Sequence, residues 1–248
     1  MPRQILRIAA LLLFLGLAAM AGAQQASAQR SVEEIEKIVR EYLLENPEVI
    51  FEAVQRHRAK QQEQQAERDQ TVLRKHRNAI LADPHSFVGG NPDGDVTLVE
   101  FFDYRCGYCK RFAPTLEAIK KQDPKLRVVY KEWPILGPDS MKGAQAALAA
   151  REQGRYVEFH EALMRVKGNL DDETIMAVAR SVGLDTERLG KDMQSPTILK
   201  AIGDTRKLAA ALGITGTPAL IVGDQIVRGL IPLEQLARMI AAARAKGS

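Results

Sequence analysis

The 248-residue sequence predicts an α/β domain preceded by an α-helical segment. Three observations carry that reading. A strand pattern at 96–102 runs into a helical pattern and then a second strand pattern at 126–133, the order of a right-handed βαβ unit with a parallel pair. Two short strand patterns, 219–222 and 225–228, return near the C-terminus after a long stretch without one. The region 31–83 has helical periodicity, one proline and no glycine.

The chain opens on a leader pattern. Arg3 and Arg7 precede the apolar run Ile8–Met20, and two small-residue cleavage sequences follow, Ala21-Gly22-Ala23 and Ala26-Ser27-Ala28. This is the layout of a secretory signal peptide over 1–23, with cleavage as late as 28. The alternative is an uncleaved anchor, but the run falls short of the roughly 20 residues of a membrane span. No cysteine lies near the cleavage region to take a lipid. An exported chain reaches an oxidising compartment, where disulfides form and persist. The formal charge is +4, and without Arg3 and Arg7 the chain has 33 basic against 31 acidic residues. So even a balance argues against nucleic acid or an acidic membrane surface as partner.

Ser31 and Glu34 form an S-x-x-E capping box ahead of Val32, Ile35, Ile38, Val39, Tyr42 and Leu43, which recur on one helical face. Asn46-Pro47 ends that helix and starts another, with Val49, Ile50, Phe51 and Val54 apolar. A polar stretch from Gln55 to Gln70 follows, then a weaker stripe of Val72, Leu73, Ile80 and Leu81 before Asp83-Pro84. Two amphipathic helices this short cannot build a core alone. The expectation is therefore a self-associating segment over 31–54 and a polar helical linker over 55–83. The alternative is that the apolar faces fold back onto the main domain.

The main domain is expected over 84–248. Turn chemistry at Gly89–Asp95 precedes the strand VTLVEFF at 96–102. A helix starts at Cys106 with Phe112, Leu116 and Ile119 on one face, and LRVVYKEW at 126–133 is the next strand, stopped by Pro134. A helical block over about 139–212 comprises 141–153, 156–164, 172–182 and 199–212, with a start at Asp171-Asp172 and a stop at Gly183. Gly223-Asp224 makes a tight hairpin of the last two strands, and Pro232 opens a final helix.

Cys106-Gly107-Tyr108-Cys109 holds the only two cysteines, directly after a strand and at a helix start. Unpaired N–H groups and the helix dipole favour an anion there, so the first thiol ionises more readily than a free one. Arg105, Lys110 and Arg111 push the same way. Cys106 is assigned as nucleophile and Cys109 as the resolving thiol that closes the short ring. Two cysteines and four histidines without ligand spacing do not make a structural zinc site, and no metal or other cofactor is expected beyond the redox-active pair. A purely structural disulfide closing so short a loop adds little stability.

Residues Leu98–Lys110 (LVEFFDYRCGYCK), Gly216-Thr217-Pro218 before a strand, and the helical block between them resemble the DsbA-like branch of the thioredoxin superfamily over about 86–243. The segment at 31–54, with Glu45–Ile50 (ENPEVI), resembles the oligomerisation segment of ScsC-type proteins, exported disulfide isomerases linked to copper tolerance. The resemblance implies a thioredoxin fold with a helical insertion and a cis Pro218 against the redox pair. It also implies a substrate-binding surface of Thr217, Pro218, Gly107 and Tyr108, on which the Thr217 backbone pairs with an extended client. Glu100 matches a buried acid that helps Cys109 lose its proton, and Lys131 is a candidate partner for it, unless either points to solvent. The implied compartment is the periplasm. The implied partners are unfolded or misoxidised exported proteins, a membrane thiol reductase, and copies of this chain, a trimer being the favoured assembly.

Isomerase and oxidase use the same cysteines and differ in redox poise and assembly. Gly107-Tyr108 lacks the histidine of the monomeric oxidases, and Thr217 before Pro218 is likewise isomerase-like. The expected activity is thus disulfide isomerisation or reduction, with a dithiol oxidase as alternative. A reading from another class is a Cu(I)-binding module, since two thiolates suit a soft ion.

Overall fold

The computed structural model describes residues 31–247. The leader read at 1–23, with its later cleavage sequence ending at 28, lies outside the described residues. The chain divides into two compact units, the first ending at Gln62 and the second starting at Glu63.

In the first unit, α1 spans Val32–Glu45 and opens on the expected capping box. Ser31 Oγ accepts from the Glu34 N–H at 3.2 Å, and the Ser31 N–H donates back to Glu34 Oε2 at 3.2 Å. Asn46 closes the helix, its backbone N–H and its Nδ2 both donating to the Tyr42 carbonyl. Helix α2 then runs unbroken over Glu48–Lys75. No residue of α1 is buried, and Val32, Ile35, Ile38, Val39, Tyr42, Val49, Ile50, Phe51 and Val54 are all exposed.

The second unit starts within α2, inside the stretch expected as a linker over 55–83. Asp69 and Leu73 on α2 are buried. Asp69 takes a bidentate contact from Arg228 at 2.9 Å and 2.9 Å. Leu73, with Ile80 of α3 (Arg77–Leu81), joins the core under the sheet. A charged anchor and two apolar residues seven apart leave a stripe too sparse to stand out from a polar helix.

Five strands form the sheet in the order β1-β3-β2-β4-β5. These are β1 (Phe87–Gly90), β2 (Val96–Phe102), β3 (Leu126–Glu132), β4 (Ala219–Val222) and β5 (Gln225–Arg228). Only β2 and β3 pair in parallel, joined through α4 (Gly107–Gln122) as the βαβ reading requires. Strand β1 was not expected, since Gly89-Gly90 reads as turn chemistry. Its glycines are there for space: a Cβ on Gly90, at φ +67°, would collide with the Leu126 carbonyl.

Side chains alternate between the two faces of a strand, so the register sorts the core. Leu98, Phe102, Val128, Tyr130, Leu220 and Val222 pack with α4, α10 (Leu233–Ala245) and the helical insertion. Val99, Phe101, Val129, Ala219 and Ile221 pack on the opposite face with Leu73, Ile80, Leu208 and Leu212. The insertion consists of α5 (Pro138–Arg151), α6 (Tyr156–Arg165), α7 (Asp172–Ser181), α8 (Thr186–Asp192) and α9 (Pro196–Ala211). Helix α8, capped by Asp185, is too short to announce itself by periodicity.

The register also separates Glu100 from Lys131. Glu100 lies opposite Tyr130 and Lys131 opposite Phe101, so the two charged side chains face opposite sides of the sheet. The expected pair is not made. Lys131 Nζ instead donates to Asp83 Oδ2 and to the Ala79 carbonyl, each at 2.8 Å. This buried ion pair fastens the end of α3 to the sheet. Asp83→Ala leaves the buried Lys131 cation without its counter-charge and is expected to destabilise the fold by about 3 kcal/mol in urea unfolding, with Lys131→Met costing less. Equal stability of D83A and the parent chain would contradict this role.

Candidate active site

The site forms where the parallel pair β2 and β3 ends, the position at which open α/β sheets bind ligands. Asp103, Tyr104 and Arg105 turn the chain out of β2, and Cys106 follows as the N-cap of α4. Its φ of −71° and ψ of 114° are extended, and its Sγ accepts from the Cys109 N–H at 3.4 Å. This is the capping geometry normally supplied by a serine or aspartate oxygen. The Cys106 thiol also donates to the Thr217 carbonyl at 3.3 Å. Both cysteines are free thiols.

These contacts set the acidity of the pair. Hydrogen bonds from the Cys109 side chain, then from the Thr217 side chain and the backbone N–H groups of Cys109 and Tyr108, outweigh burial and lower Cys106 to about 5. Neighbouring cations are not among the largest causes, contrary to expectation. Arg105 and Lys110 are engaged elsewhere, donating to the carbonyls of Leu136 and Val166, each at 2.6 Å. The shared hydrogen bond to Cys106, followed by burial and the Glu100 charge, pushes Cys109 far above the free-thiol range. Cys109 is fully buried, and Cys106 is only 6% exposed. The Cys106 sulfur is thus a recessed edge of the site.

Thr217–Pro218 is a cis peptide bond, and Pro218 immediately precedes β4. Pairing of Ala219 with Phe101 brings this turn to the end of β2, beside Cys106. The Pro218 carbonyl accepts from the Gly229 N–H at 2.9 Å. Gly107 faces open space apart from the Arg111 guanidinium, and Tyr108 is 58% exposed with the Arg111 Cζ 4.2 Å from its ring centre. Ile135 and Leu136, also exposed, border the Arg105 side of the site.

Glu100 is buried on the same sheet face as Cys109 and Phe112. Burial first, and then the Cys106 charge, push its carboxyl up to about 8. The Lys120 charge opposes this only in part, so the acid is held neutral through most of the neutral range.

Sequence reasoning missed a second set of polar groups. The buried Asp103 carboxylate accepts from the Arg105, Ile135 and Leu136 N–H groups and the Ser140 hydroxyl, at 2.7 to 3.0 Å. It thereby pins the cysteine loop to the segment after β3. Glu132 Oε1 accepts from Tyr104 at 3.0 Å and Tyr156 at 2.7 Å, and Tyr104 also meets His160 Nδ1 at 3.0 Å. The available signal was that Asp103 and Glu132 follow or end adjacent parallel strands, in FFDYRC and YKEW. Among the described residues no group of three or more His, Cys, Asp or Glu side chains is placed to hold a metal, and no helix is long and apolar enough to cross a membrane.

Residues 97–241 match the DSBA-like thioredoxin domain family, and 32–64 match the copper resistance protein ScsC N-terminal domain. A thioredoxin-like oxidoreductase from Silicibacter pomeroyi is 46% identical, covering 68% of this chain and 98% of its own, with a TM-score of 0.67. Proteus mirabilis ScsC in a transitional conformation is 32% identical over 86% of this chain and 97% of its own, with a TM-score of 0.67. A Na(+)/H(+) antiporter NhaA 1 from Mycolicibacterium gilvum is 28% identical over 162 residues, 63% of this chain. The chain spans about a quarter (26%) of the length of that curated relative.

The reduced protein should show thiolate absorbance rising through a transition centred near pH 5. Cys106→Ser should abolish it, and Cys109→Ser, which keeps a donor, should leave the midpoint within about one unit. Because the folded value lies below the free-thiol one, the stability this shift lends the reduced form is complete above the free-thiol range and is lost as pH falls through 5. A midpoint in the free-thiol range would contradict the assignment.

Proposed function

The chain belongs to the DSBA-like thioredoxin domain family, and from that premise we propose that this thiol–disulfide oxidoreductase is an exported disulfide isomerase and reductase acting through Cys106 and Cys109. The observation that carries the chemistry is the Cys106 sulfur capping α4, with Cys109 buried behind it and Thr217–Pro218 alongside.

The Cys106 thiolate attacks one sulfur of a client disulfide. A Cys106–client mixed disulfide forms and the other client sulfur leaves as a thiolate. In isomerisation a different client thiolate attacks the client sulfur of the mixed disulfide, makes a new client disulfide and returns the Cys106 thiolate, with no net change in oxidation state. In reduction the Cys109 thiolate attacks Cys106 Sγ, closing the Cys106–Cys109 disulfide and freeing the second client thiol. Two electrons and two protons pass to the client, and a dithiol reductant must restore the pair.

Cys109 has to lose its proton first, and Glu100 is the group suited to take it. While Cys106 is a thiolate, its charge helps hold Glu100 protonated. The mixed disulfide removes that charge, Glu100 becomes more acidic, and its carboxylate can then act as base. An extended client strand would pair with the Thr217 backbone, while Tyr108, Ile135 and Leu136 offer apolar contact without demanding a sequence.

Isomerase is favoured over oxidase by the Gly107-Tyr108 dipeptide, by Thr217, and by the exposed apolar face over 31–54. That face would join copies of the chain, by likeness to ScsC a trimer, presenting several sites to one client. The same likeness favours the periplasm, clients among misoxidised exported proteins, and a membrane thiol reductase as electron source. One observation favours the dithiol oxidase instead: a Cys106 value near 5 stabilises the reduced form and so makes the disulfide a better oxidant.

The reduced chain should restore activity to a scrambled multi-disulfide protein. Ile38→Glu with Tyr42→Glu should reduce its mass in solution to a monomer and lower that recovery by about tenfold, while insulin reduction persists. Absence of recovery from the parent chain would contradict the isomerase reading, and an unchanged mass would contradict the assembly.

A further inference from the structure

Glu132 is a buried acid with no part in the thiol steps above. It ends β3, next to the parallel strand that leads to Cys106. Its Oε1 accepts from the Tyr104 and Tyr156 hydroxyls at 3.0 and 2.7 Å, while Oε2 has no partner. Tyr104 has one hydroxyl proton, and if that goes to Glu132, the 3.0 Å contact with His160 requires His160 Nδ1–H to donate to Tyr104 Oη. Burial lowers His160 to about 3, so the ring is neutral and can carry its proton on Nδ1. The resulting chain runs His160 to Tyr104 to Glu132, with Tyr156 as a second donor to the same oxygen.

The three elements joined here are those that must hold still around the thiol. Tyr104 lies two residues before Cys106 in the loop leaving β2, Glu132 is on the sheet, and Tyr156 and His160 are on α6 of the helical insertion. The rings of Phe102, Tyr104 and His160 pack edge-on, and Tyr156 stacks on Phe87 at 4.2 Å. We propose that Glu132 is a positioning residue for Cys106: through Tyr104 it fastens the cysteine-bearing loop to the sheet and to the helical insertion. The proposal deepens the thiol chemistry above and rests on it.

A carboxyl is the side chain that fits this place. It takes two hydroxyl donors on one oxygen, which an apolar residue cannot, and an apolar residue here would leave the buried Tyr156 hydroxyl unpaired and Tyr104 with His160 alone. Burial first pushes Glu132 up to about 8, the two tyrosine hydrogen bonds oppose this, and the charges of Asp103 and Glu100 add to it. The neutral acid thus holds both tyrosines without adding a further buried negative charge beside the Asp103 carboxylate.

The test is the thiolate titration of Cys106 in the reduced full-length chain, which needs no client and is independent of isomerase or oxidase activity. Glu132→Leu removes the acceptor and should raise the Cys106 midpoint by about half a unit or more, the effect of loosening one hydrogen bond to a charged sulfur. The equilibrium with glutathione should shift towards the oxidised chain in step. Glu132→Gln keeps an acceptor for both tyrosines and should restore the parent midpoint. If E132L does not fold, Tyr104→Phe, which deletes only the hydroxyl, should raise the midpoint in the same direction. A folded E132L, or failing that Y104F, titrating like the parent chain would overturn the proposal. Loss of isomerase activity with an unaltered midpoint would overturn it too, while failure of the parent chain as an isomerase would leave this titration intact as a test.

Discussion

At the start of α4 a sulfur stands where a hydroxyl or carboxylate oxygen usually sits, and the molecule is arranged around keeping it there. Cys106 must be extended at the N-cap so that the N–H groups of the first turn point at Sγ. That requires β2 to end where it does, the Asp103–Arg105 loop to hold its bend, and the Thr217 turn to approach from β4. Reactivity follows from the same contacts. The hydrogen bonds that lower Cys106 raise Cys109, so one thiol is poised to attack while its neighbour holds its proton.

Around this cap lies an unusual density of buried polar groups. Glu100 stands behind Cys109, Asp103 braces the loop, and Glu132 gathers two tyrosines and, through one of them, a histidine. Burying acids costs stability, and Glu100 shows the sign of that cost. Its raised value favours the protonated acid, so the fold loses stability as pH rises from the ordinary carboxyl range towards 8. Buried acids of this kind cluster at functional sites, and here Glu100 and Asp103 both act on the buried thiol of Cys109.

The strand–helix–strand order, the cysteine pair at a helix start and the late hairpin were legible in the sequence because each has a local signature. Ser31 and Glu34 announced α1, and Asp171 announced α7, for the same reason. What escaped was set by register and distance. Glu100 and Lys131 occur in neighbouring strands and read as a pair, but a single step of register turns them to opposite faces. Lys131 meets Asp83, which had been read as the end of a linker, and Asp69 meets Arg228, far along the chain. The Tyr104–Glu132–His160 chain draws on three elements and no pattern within any one of them predicts it.

The N-terminal unit poses a question that the thiol site does not answer, since its apolar residues find no cover within their own helix pair. The self-association proposed for 31–54 would cover them and turn a generic dithiol into a multi-site enzyme, whereas the proposed thiol steps depend on the asymmetry between Cys106 and Cys109. That asymmetry is open to one direct measurement, brief alkylation of the reduced chain with limiting iodoacetamide near pH 6, followed by peptide mapping. Modification confined to Cys106 is the predicted result. Equal labelling of both thiols, or labelling of Cys109 first, would contradict the division of roles on which the whole mechanism stands.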